Sequence, residues 1–340
     1  MLPSTATAAA SDSRPHTEPI VDLRSDSSSL PSTEMLRAMQ TARLGNDLYG
    51  EDPTANELEA AAARLLGKDS AVLMPSGVMA NKVALSVLAE PDQLIAVGRL
   101  SHINLFEDSL PQRLLLPVDD SDEERFAEHL RSARDQVVAL AIENTHLMRE
   151  GHVMTPEAAD RFARIGVPVH LDGARLMNAA AALDVPPADL AACATTVTLT
   201  LSKGLGAPIG SVLAGPEDMM NRARQSRLAM GGSLAQAGVV AAAGLVALRR
   251  PPQEFRADHR GAARIRAAAE ERWPGSTSPR TTPGTNIVIW SPPEAPGVVA
   301  RLADRGIHVL PWGETSIRAV THPGISERDI DHVVDAIGEM

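Results

Sequence analysis

The sequence is poor in cysteine and in aromatic residues, and it contains no long apolar run. One of its 340 residues is a cysteine, Cys193, and aromatic residues make up 2% of the chain. A single cysteine excludes an internal disulfide framework and is typical of a reducing compartment, so we expect a cytoplasmic location. No apolar run approaches the roughly 20 residues of a membrane-spanning helix, so we expect no membrane partner. Aliphatic residues and alanine must fill the core, since hydrophobic residues still form 44% of the chain.

Positive charge is also scarce. The chain has 32 Lys and Arg residues against 43 Asp and Glu residues, a net charge of −11. Nucleic-acid binding needs clusters of Lys and Arg that neutralise phosphates, so we expect no nucleic-acid partner. The length indicates one large and one smaller domain. We predict a disordered tail over residues 1–18, which lack the apolar core of a secretory signal, a large domain over 19–254 and a small domain over 255–340.

Helical and strand patterns alternate along most of the chain, which predicts an α/β fold with a mainly parallel sheet. In the first part, the pattern gives a helix over 54–66, a buried strand over 70–74 and a helix over 77–88. From about residue 255 the order becomes helix, strand, helix, strand, strand, helix. That order predicts a compact α+β unit as the second domain.

Lys203 and Asp172 give the strongest chemical signal. Lys203 follows a β-type run and precedes a glycine-rich turn, and Asp172 ends a short apolar strand. Such a lysine can form a Schiff base with pyridoxal phosphate, while an acid keeps the pyridine nitrogen protonated. One strand-helix-strand crossover separates the two residues, so a parallel sheet places both at its carboxyl edge, where ligands bind. A solvated strand-end acid and a surface lysine are the ordinary alternatives, and the glycines around Lys203 argue against a helix face.

Three weaker signals fit the same chemistry. Ser76 and Gly77 follow a buried strand and open a helix, an arrangement that cradles phosphate but is also an ordinary turn and cap. His102 follows a strand, where an isolated histidine is more often packed or capped than catalytic. Arg318 lies inside a predicted strand, so its charge must face solvent or bind an anion, and a substrate carboxylate would suit its planar fork.

With these motifs, the chain resembles the low-specificity L-threonine aldolases of the β-eliminating lyase group. These are fold-type I pyridoxal phosphate enzymes, of the aspartate aminotransferase-like fold. The resemblance implies a large domain with a mainly parallel, seven-stranded sheet and a small C-terminal α+β domain. It extends from Val21 to the C-terminus. The matching segments are 21–26, 46–54, 75–77, 101–107, 143–146, 170–175, 201–206, 208–210 and 318–322.

The resemblance also implies a role for each matching residue. Lys203 would bind the cofactor covalently, Asp172 would pair with the pyridine nitrogen, and His102 would stack on the ring and assist proton transfer. The remaining residues fall into three sets. Ser76, Gly77 and Ser202 would lie near the phosphate. The substrate carboxylate and the ring oxygen would be held by Ser25, Arg175 and Arg318. Tyr49 would reach the site from a neighbouring subunit. We expect a dimer or tetramer with shared active sites, and no metal site.

The implied reaction is cleavage or formation of the Cα–Cβ bond of a β-hydroxy-α-amino acid, such as L-threonine or L-allo-threonine, which gives glycine and an aldehyde. Two other enzymatic interpretations stay open: a specialised transaldolase, and a β-eliminating lyase of a biosynthetic pathway. A third interpretation is a non-catalytic pyridoxal phosphate-binding paralogue. Intact Lys203, Asp172, His102 and Arg318 argue against it.

One departure from the family pattern favours that third interpretation. Ala235 stands where the family has an arginine, so a cationic contact with phosphate or across the subunit interface is lost. Such a loss costs on the order of 1.5–3 kcal/mol unless another residue replaces the contact. Arg222, Arg224 and Arg227 are near in sequence and are the candidates for that replacement.

Overall fold

The computed structural model describes residues 20–107 and 115–340. The predicted disordered tail over residues 1–18 lies outside these residues. In the described part of the chain the strands are β1 (Val21–Asp22), β2 (Ser70–Met74), β3 (Ile95–Gly98), β4 (Leu115–Val118), β5 (Ala139–Glu143), β6 (Val169–Asp172), β7 (Thr196–Thr200), β8 (Ser211–Gly215), β9 (Ile287–Trp290), β10 (Ile307–His308), β11 (Leu310–Trp312) and β12 (Ser316–Val320).

The α-helices alternate with these strands and cover them. Those described are α1 (Thr33–Gln40), α2 (Pro53–Leu66), α3 (Gly77–Leu88), α4 (His102–Phe106), α5 (Glu123–Ala133), α6 (Pro156–Ala163), α7 (Leu176–Leu183), α8 (Pro187–Ala191), α9 (Glu217–Ala229), α10 (Gly238–Ala247), α11 (Pro252–Arg272), α12 (Ala295–Asp304) and α13 (Glu327–Gly338). No helix among the residues described is both long enough and apolar enough to cross a membrane.

Seven strands form the central sheet in the order β2-β8-β7-β6-β5-β3-β4. All are parallel except β8, which runs antiparallel to both β2 and β7. This confirms the predicted α/β fold with a mainly parallel, seven-stranded sheet. Because β5, β6 and β7 are adjacent and parallel, their carboxyl ends meet at one edge. Asp172 ends β6 at that edge and lies opposite Glu143, the last residue of β5.

Local sequence explains where the helices begin and end. The Asp52 side chain accepts hydrogen bonds from the backbone N–H groups of Thr54 and Ala55, at 3.1 and 2.9 Å, and Pro53 occupies the first turn of α2. The helix ends at Gly67, whose φ of +63° lies in the left-handed region that glycine adopts without strain. Side-chain caps also begin α1, α3, α5, α6 and α13, with Ser, Thr or Asp as the capping residue.

Both faces of the central sheet are buried. Along β2, Ala71 and Leu73 belong to the main apolar core, while Val72 and Met74 belong to a second core with residues of α3 and α9. Fully buried strands of this kind are expected in a parallel sheet covered by helices on both sides. Aliphatic residues and alanine dominate these cores, as the scarcity of aromatic residues predicts.

The C-terminal unit is built on a three-stranded antiparallel sheet, β11-β12-β9, with α11, α12 and α13 packed near it. The N-terminal segment joins this unit: β1 pairs in parallel with β10, and the buried side chains of Val21 and Leu23 lie in the same core as Trp290 and Ile317. The predicted boundary at residue 254 assigns this segment to the large domain and stays a prediction. The packing shows that the segment ties the first residues of the described chain to the last unit.

Candidate active site

The carboxyl edge of the central sheet brings together residues from four neighbouring strands, β3, β5, β6 and β7. His102 follows β3, Glu143 and Asp172 end β5 and β6, and Lys203 follows β7. The sequence predicted the meeting of Lys203 and Asp172 at this edge, and the strand order confirms it. The site is therefore assembled by sheet topology from residues about a hundred positions apart.

Asp172 is buried, with 2% of its surface exposed. Its Oδ2 accepts a hydrogen bond from Asn81 Nδ2 at 2.9 Å, and its Oδ1 accepts one from the backbone N–H of Ala174 at 3.0 Å. Burial alone would raise the pKa of this carboxyl group. Lys203, whose charge is the largest opposing influence, helps to leave the pKa of Asp172 below its ordinary value. The carboxylate is held ionised.

Lys203 lies in the loop between β7 and β8. Its backbone carbonyl accepts hydrogen bonds from the backbone N–H of Gly206 at 2.7 Å and from the Ser29 hydroxyl at 3.4 Å, which fix the loop. Burial, and next to it the charge of Arg175, lower the pKa of the Lys203 ammonium against the opposing effect of nearby carboxylates. A lowered pKa raises the share of neutral amine, the form that attacks a carbonyl.

His102 begins α4 and is oriented by two carboxylates. Its backbone N–H donates to Glu143 Oε2 at 2.8 Å, and its ring Nδ1 lies 2.9 Å from Glu107 Oε1. Asn81 Nδ2 also donates to Glu107 Oε1, at 2.8 Å. Burial raises the pKa of Glu107 above its ordinary value, and Asp172 adds to the effect. Sequence reasoning gave no role to Asn81 or to Glu107.

Ligand atoms of His102, Glu107 and Asp172 all lie within 4.8 Å of one another. The Asn81 amide directs hydrogens at both carboxylates of this group, which occupies lone pairs that a metal ion would need. The prediction of no metal site stays a prediction.

The predicted phosphate cradle lies at the beginning of α3. Ser76 caps the helix, with its hydroxyl accepting from the backbone N–H of Met79 at 3.1 Å. A Cβ on Gly77 would stand 2.7 Å from the Thr200 hydroxyl, so only glycine allows this approach of α3 to the end of β7. The hydroxyls of Thr198 and Thr200 are buried and make no hydrogen bond within the described residues. Ser202 is half-buried on the following loop.

Arg175 is paired with a second buried acid, Asp26. Its Nε and Nη2 donate to the two carboxylate oxygens of Asp26 at 2.7 and 2.8 Å, and both side chains are at most 5% exposed. Burial would raise the pKa of Asp26, but the charge of Arg175 and its hydrogen bonds hold it at about 2. Ser25, the residue before this acid, caps a short 3-10 helix by accepting from the backbone N–H of Ser27.

Arg318 lies in β12, with its guanidinium carbon 4.5 Å from the centre of the Trp312 ring. Its Nη2 donates to the backbone carbonyl of Arg24 at 3.0 Å, while its buried Nε has no partner in the part of the chain that the structure describes. Burial, and then the charge of Arg175, lower the pKa of Arg318 to about 10. The sequence analysis allowed solvent or an anion as the partner, and solvent is excluded because this residue is 7% exposed.

Tyr49 is exposed over 72% of its surface and is not packed into the site of its own chain. The neighbouring Asp47 is buried and accepts a hydrogen bond from Arg227 Nη2 at 2.6 Å, and its backbone N–H donates to the carbonyl of Ala235 at 2.9 Å. Arg224 pairs with Glu59. Two of the three arginines considered as replacements for the missing family arginine are thus engaged with acids in this structure.

His146 lies on the loop after β5, and sequence reasoning left it without a role although its segment matched the family pattern. Its ring Nε2 lies 2.9 Å from Asp120 Oδ2, and its Nδ1 is buried without a partner among the residues described. It stands three residues after Glu143, the last residue of β5. Its position just after a predicted parallel strand could have indicated that it lies near the carboxyl edge of the sheet.

A model of the beta-eliminating lyase family matches residues 22–289. The chain belongs to this family. An uncharacterised protein of Caenorhabditis elegans is 37% identical over 71% of this chain, which spans 62% of that protein. A probable low-specificity L-threonine aldolase of Arabidopsis thaliana is 34% identical, over 96% of this chain and 98% of its own length.

Solved structures show the same fold. A threonine aldolase of Leishmania major superposes with a TM-score of 0.79 at 18% identity, over 94% of this chain and 99% of its own length. The beta-eliminating lyase family and this likeness confirm the expected fold-type I architecture. They agree with the topology of the central sheet, whose carboxyl edge holds the site residues.

Proposed function

We propose that this protein is a pyridoxal phosphate-dependent aldolase that cleaves the Cα–Cβ bond of a β-hydroxy-α-amino acid. The products would be glycine and an aldehyde, with L-threonine or L-allo-threonine as substrate. The observation that supports this most directly is the meeting of Lys203 and Asp172 at the carboxyl edge of the sheet. The resemblance over almost the whole length to a protein named as a low-specificity L-threonine aldolase supports the reaction type.

The residues present fit pyridoxal phosphate. At one end of the site, the N-terminus of α3 supplies backbone N–H groups and the positive end of a helix dipole. The buried Thr200 hydroxyl, which lacks a partner among the described residues, lies beside Gly77 at the same place. At the other end, Asp172 is an ionised acid for the ring nitrogen. Phosphate and ring nitrogen thus each have a matching group.

Bound here, pyridoxal phosphate would supply a carbonyl for a lysine amine and a ring that accepts the electrons of the breaking Cα–Cβ bond. Lys203 contributes the amine, and its lowered pKa keeps more of it neutral near physiological pH. Asp172 remains a carboxylate throughout that range, because its pKa lies below the ordinary value. A carboxylate in a buried place stabilises a positive charge strongly, since water does not screen it.

Arg318 and Arg175 form the anion-binding side of the site. Arg318 is buried and has unused donors, so a substrate carboxylate can pair with it. Arg175 is held by Asp26 along one edge of its guanidinium, which leaves Nη1 directed elsewhere. Fixing the carboxylate sets which bond at Cα stands perpendicular to the cofactor ring, and so which bond breaks.

His102 accepts the proton of the β-hydroxyl group. Glu107 fixes the orientation of the imidazole through Nδ1, which leaves Nε2 for the substrate. Loss of the hydroxyl proton turns the Cβ–O bond into a carbonyl as the aldehyde departs. Removing this proton while the Cα–Cβ bond breaks distinguishes an aldolase from a lyase that eliminates a group at Cβ.

A second copy of the chain completes the site in this proposal. Tyr49, Leu48 and Leu44 are exposed on one segment, and Leu228 and Met230 on another. The hydrogen bond between Asp47 and Arg227 joins the two segments, and we infer that their exposed apolar side chains form one patch. Such a patch is typical of an interface. Tyr49 would then reach the neighbouring subunit, as the family resemblance implies.

The test begins with the purified protein and pyridoxal phosphate. We expect an absorbance band of lysine-bound cofactor, and reduction with borohydride followed by peptide mapping should label Lys203. The labelled lysine is easily identified, because the chain has only three lysines: Lys68, Lys82 and Lys203. Lys203→Ala should abolish the band, and Lys82→Ala should retain it.

Addition of L-threonine or L-allo-threonine then identifies the reaction. Release of glycine and acetaldehyde supports the aldolase and ranks the two substrates. Release of a keto acid and ammonia would establish elimination at Cβ instead. Formation of a new β-hydroxy amino acid only when a second aldehyde is supplied would establish a transaldolase. Absence of any lysine-bound cofactor would contradict the catalytic proposal as a whole.

A further inference from the structure

Asn81 lies one turn into α3, four residues after Gly77, and is 2% exposed. The same helix therefore begins at the proposed phosphate cradle and, at its next turn, contacts the acid proposed to face the ring nitrogen. Asn81 Nδ2 donates to Asp172 Oδ2 at 2.9 Å, across 91 positions of sequence. The helix α3 thus carries both the proposed phosphate cradle and the residue that contacts Asp172.

The direction of the hydrogen bonds around Asn81 is determined by its neighbours. His170 Nδ1 lies 3.0 Å from the Thr196 hydroxyl, and His170 Nε2 lies 3.0 Å from Asn81 Oδ1. Burial lowers the pKa of His170 to about 4, so the ring is neutral and carries one proton. That proton is on Nε2, because Asn81 Oδ1 can only accept, and Nδ1 then accepts from Thr196.

The amide nitrogen of Asn81 faces the two acids, because a carboxylate accepts hydrogen bonds and does not donate them. Nδ2 has two hydrogens, and it donates one to Asp172 and one to Glu107. Turning the amide over would place its oxygen against both carboxylates, where acceptor would face acceptor. The arrangement has one satisfactory orientation. From Asn81, a further bond runs through Glu107 to Nδ1 of His102.

We propose that Asn81 is a positioning residue, which fixes the Asp172 carboxylate against the cofactor ring nitrogen and connects it through Glu107 to His102. The inference rests on the proposed function, since it assigns the ring nitrogen to Asp172. Without the amide, the acids Asp172 and Glu107 would face each other directly at a distance where two carboxylates repel. Asp172 would then rotate away or take up a proton, and the ring nitrogen would lose its partner.

Asn81→Asp tests this assignment because it keeps the shape of the side chain and removes the donor. We expect the dissociation constant of pyridoxal phosphate, measured by absorbance titration of the apo protein, to rise about ten- to hundredfold at pH 8. The introduced carboxyl group can donate again once it is protonated. The affinity of the variant relative to that of the unsubstituted protein should therefore recover as the pH falls toward 6, which a packing defect would not produce.

Asn81→Ala removes the amide without adding an acid. Its affinity for the cofactor should fall at pH 8 and show no recovery relative to the unsubstituted protein at pH 6. Asn221→Asp is the matched control, because Asn221 is exposed on α9 and undergoes the same change of charge. Circular dichroism checks that each variant is folded, and if Asn81→Asp does not fold, Asn81→Ala still tests the loss of affinity.

Cofactor affinities of both Asn81 variants within twofold of the unsubstituted value, or equal losses in both at every pH, would overturn the proposal. The outcome is separate from the fate of the proposed function. If the unsubstituted protein binds pyridoxal phosphate on Lys203 and cleaves threonine while both variants bind the cofactor normally, only the role of Asn81 fails.

Discussion

Two buried arginine–aspartate pairs join the N-terminal part of the chain to the large sheet, and their surroundings differ. Arg175 binds Asp26 beside Lys203, at the carboxyl edge. Arg227 binds Asp47 at 2.6 Å, next to the exposed segment that bears Tyr49. Both pairs are almost completely buried. The same interaction thus fixes charged groups at the proposed active site in one place and a surface loop in the other.

The difference shows that burial of an ion pair says little about its function. A buried pair costs desolvation, so its net stabilisation is small, yet removal of one partner leaves an uncompensated charge. The two pairs differ in their effect on the pKa of Lys203. Asp26 and Arg175 both act on the pKa of Lys203, in opposite directions, whereas Arg227 and Asp47 are not among the groups that shift it.

The largest expected effect comes from Lys203 itself, which belongs to neither pair. Lys203→Ala should reduce kcat for threonine cleavage about 10³-fold or more, because no other group supplies the amine. Its thermal unfolding should remain a single transition. Steady-state kinetics and a melting curve measure the two quantities. Retention of more than a tenth of the activity would show that another lysine carries the cofactor.

Breaking the first pair should affect both stability and activity. Asp26→Ala leaves the Arg175 charge buried without its partner, which should lower the free energy of unfolding by about 3–5 kcal/mol. It should also lower kcat/KM about 10²-fold through misplacement of the carboxylate-binding side. Because Asp26 raises the pKa of Lys203, its loss should move the titration of the Lys203 amine in the apo protein to lower pH.

Asp47→Ala is the matched variant of the second pair. It should lower the free energy of unfolding by a similar amount, about 3–5 kcal/mol, for the same reason. The kcat/KM of protein that remains folded and assembled should fall less than about tenfold, because this pair supports the Tyr49 segment and is not among the groups that act on Lys203. Denaturant unfolding and gel filtration at several concentrations would measure this. Equal losses of kcat/KM in both variants would remove the distinction between the pairs.

Acid gives a smaller effect per pH unit, and one that limits any acid titration of the Asp26 pair. Burial lowers the pKa of His170 and of His259 to about 4 in the folded protein, from the ordinary value of 6.5. The unfolded chain therefore binds more protons between pH 6.5 and 4. Stability is complete above pH 6.5 and falls as the pH drops, by up to about 1.4 kcal/mol per pH unit for each histidine.

The measurement is urea unfolding at several pH values between 4 and 7. Substitution of His259 by Gln should remove about half of the slope over this range, apart from any constant loss of stability. An unchanged slope would show that His259 does not titrate as its burial requires. Asp26 should add to the loss only below about pH 4. The unfolded chain binds its proton near the ordinary pKa of 3.8, whereas the folded protein binds it only at about 2.

The smallest effect is expected at an exposed pair. Glu34 and Arg249 lie 2.9 Å apart with 68% and 63% of their side chains exposed. Glu34→Ala should change the free energy of unfolding by less than about 0.5 kcal/mol, since water and salt screen such pairs. Its denaturation curve therefore serves as the baseline for the two buried pairs. A loss as large as theirs would mean that exposure is a poor guide to the contribution of an ion pair in this protein.

Sequence reasoning predicted those parts of the molecule that depend on local pattern. The strand 70–74 and the helix 77–88 have the bounds that periodicity indicates. Lys203 and Asp172 could be placed together because both follow strands, and parallel strands share an edge. Strand β8 was missed, since its five residues stand between a glycine-rich turn and a proline and show no strong alternation.

Partners that meet only through tertiary structure could not be predicted. Asn81 looks like an ordinary polar residue of α3, and nothing in its local sequence indicates Asp172 as its partner. The same holds for the pairing of Arg175 with Asp26, which lie 149 positions apart. These contacts depend on how helices and the N-terminal segment pack against the sheet, whereas the strand-end positions follow from the chain order alone.

The antiparallel strand β8 has a consequence for how this site comes together during folding. Because β8 pairs with β7, the loop of residues 201–210 closes a hairpin between adjacent strands. Closing a short loop loses less chain entropy than forming a crossover, and local pairings form faster than distant ones. Lys203 is thus placed by neighbours in sequence, and Asp172 and His102 by long-range contacts. The loop that carries Lys203 is expected to take its shape while the pocket around it is still being assembled.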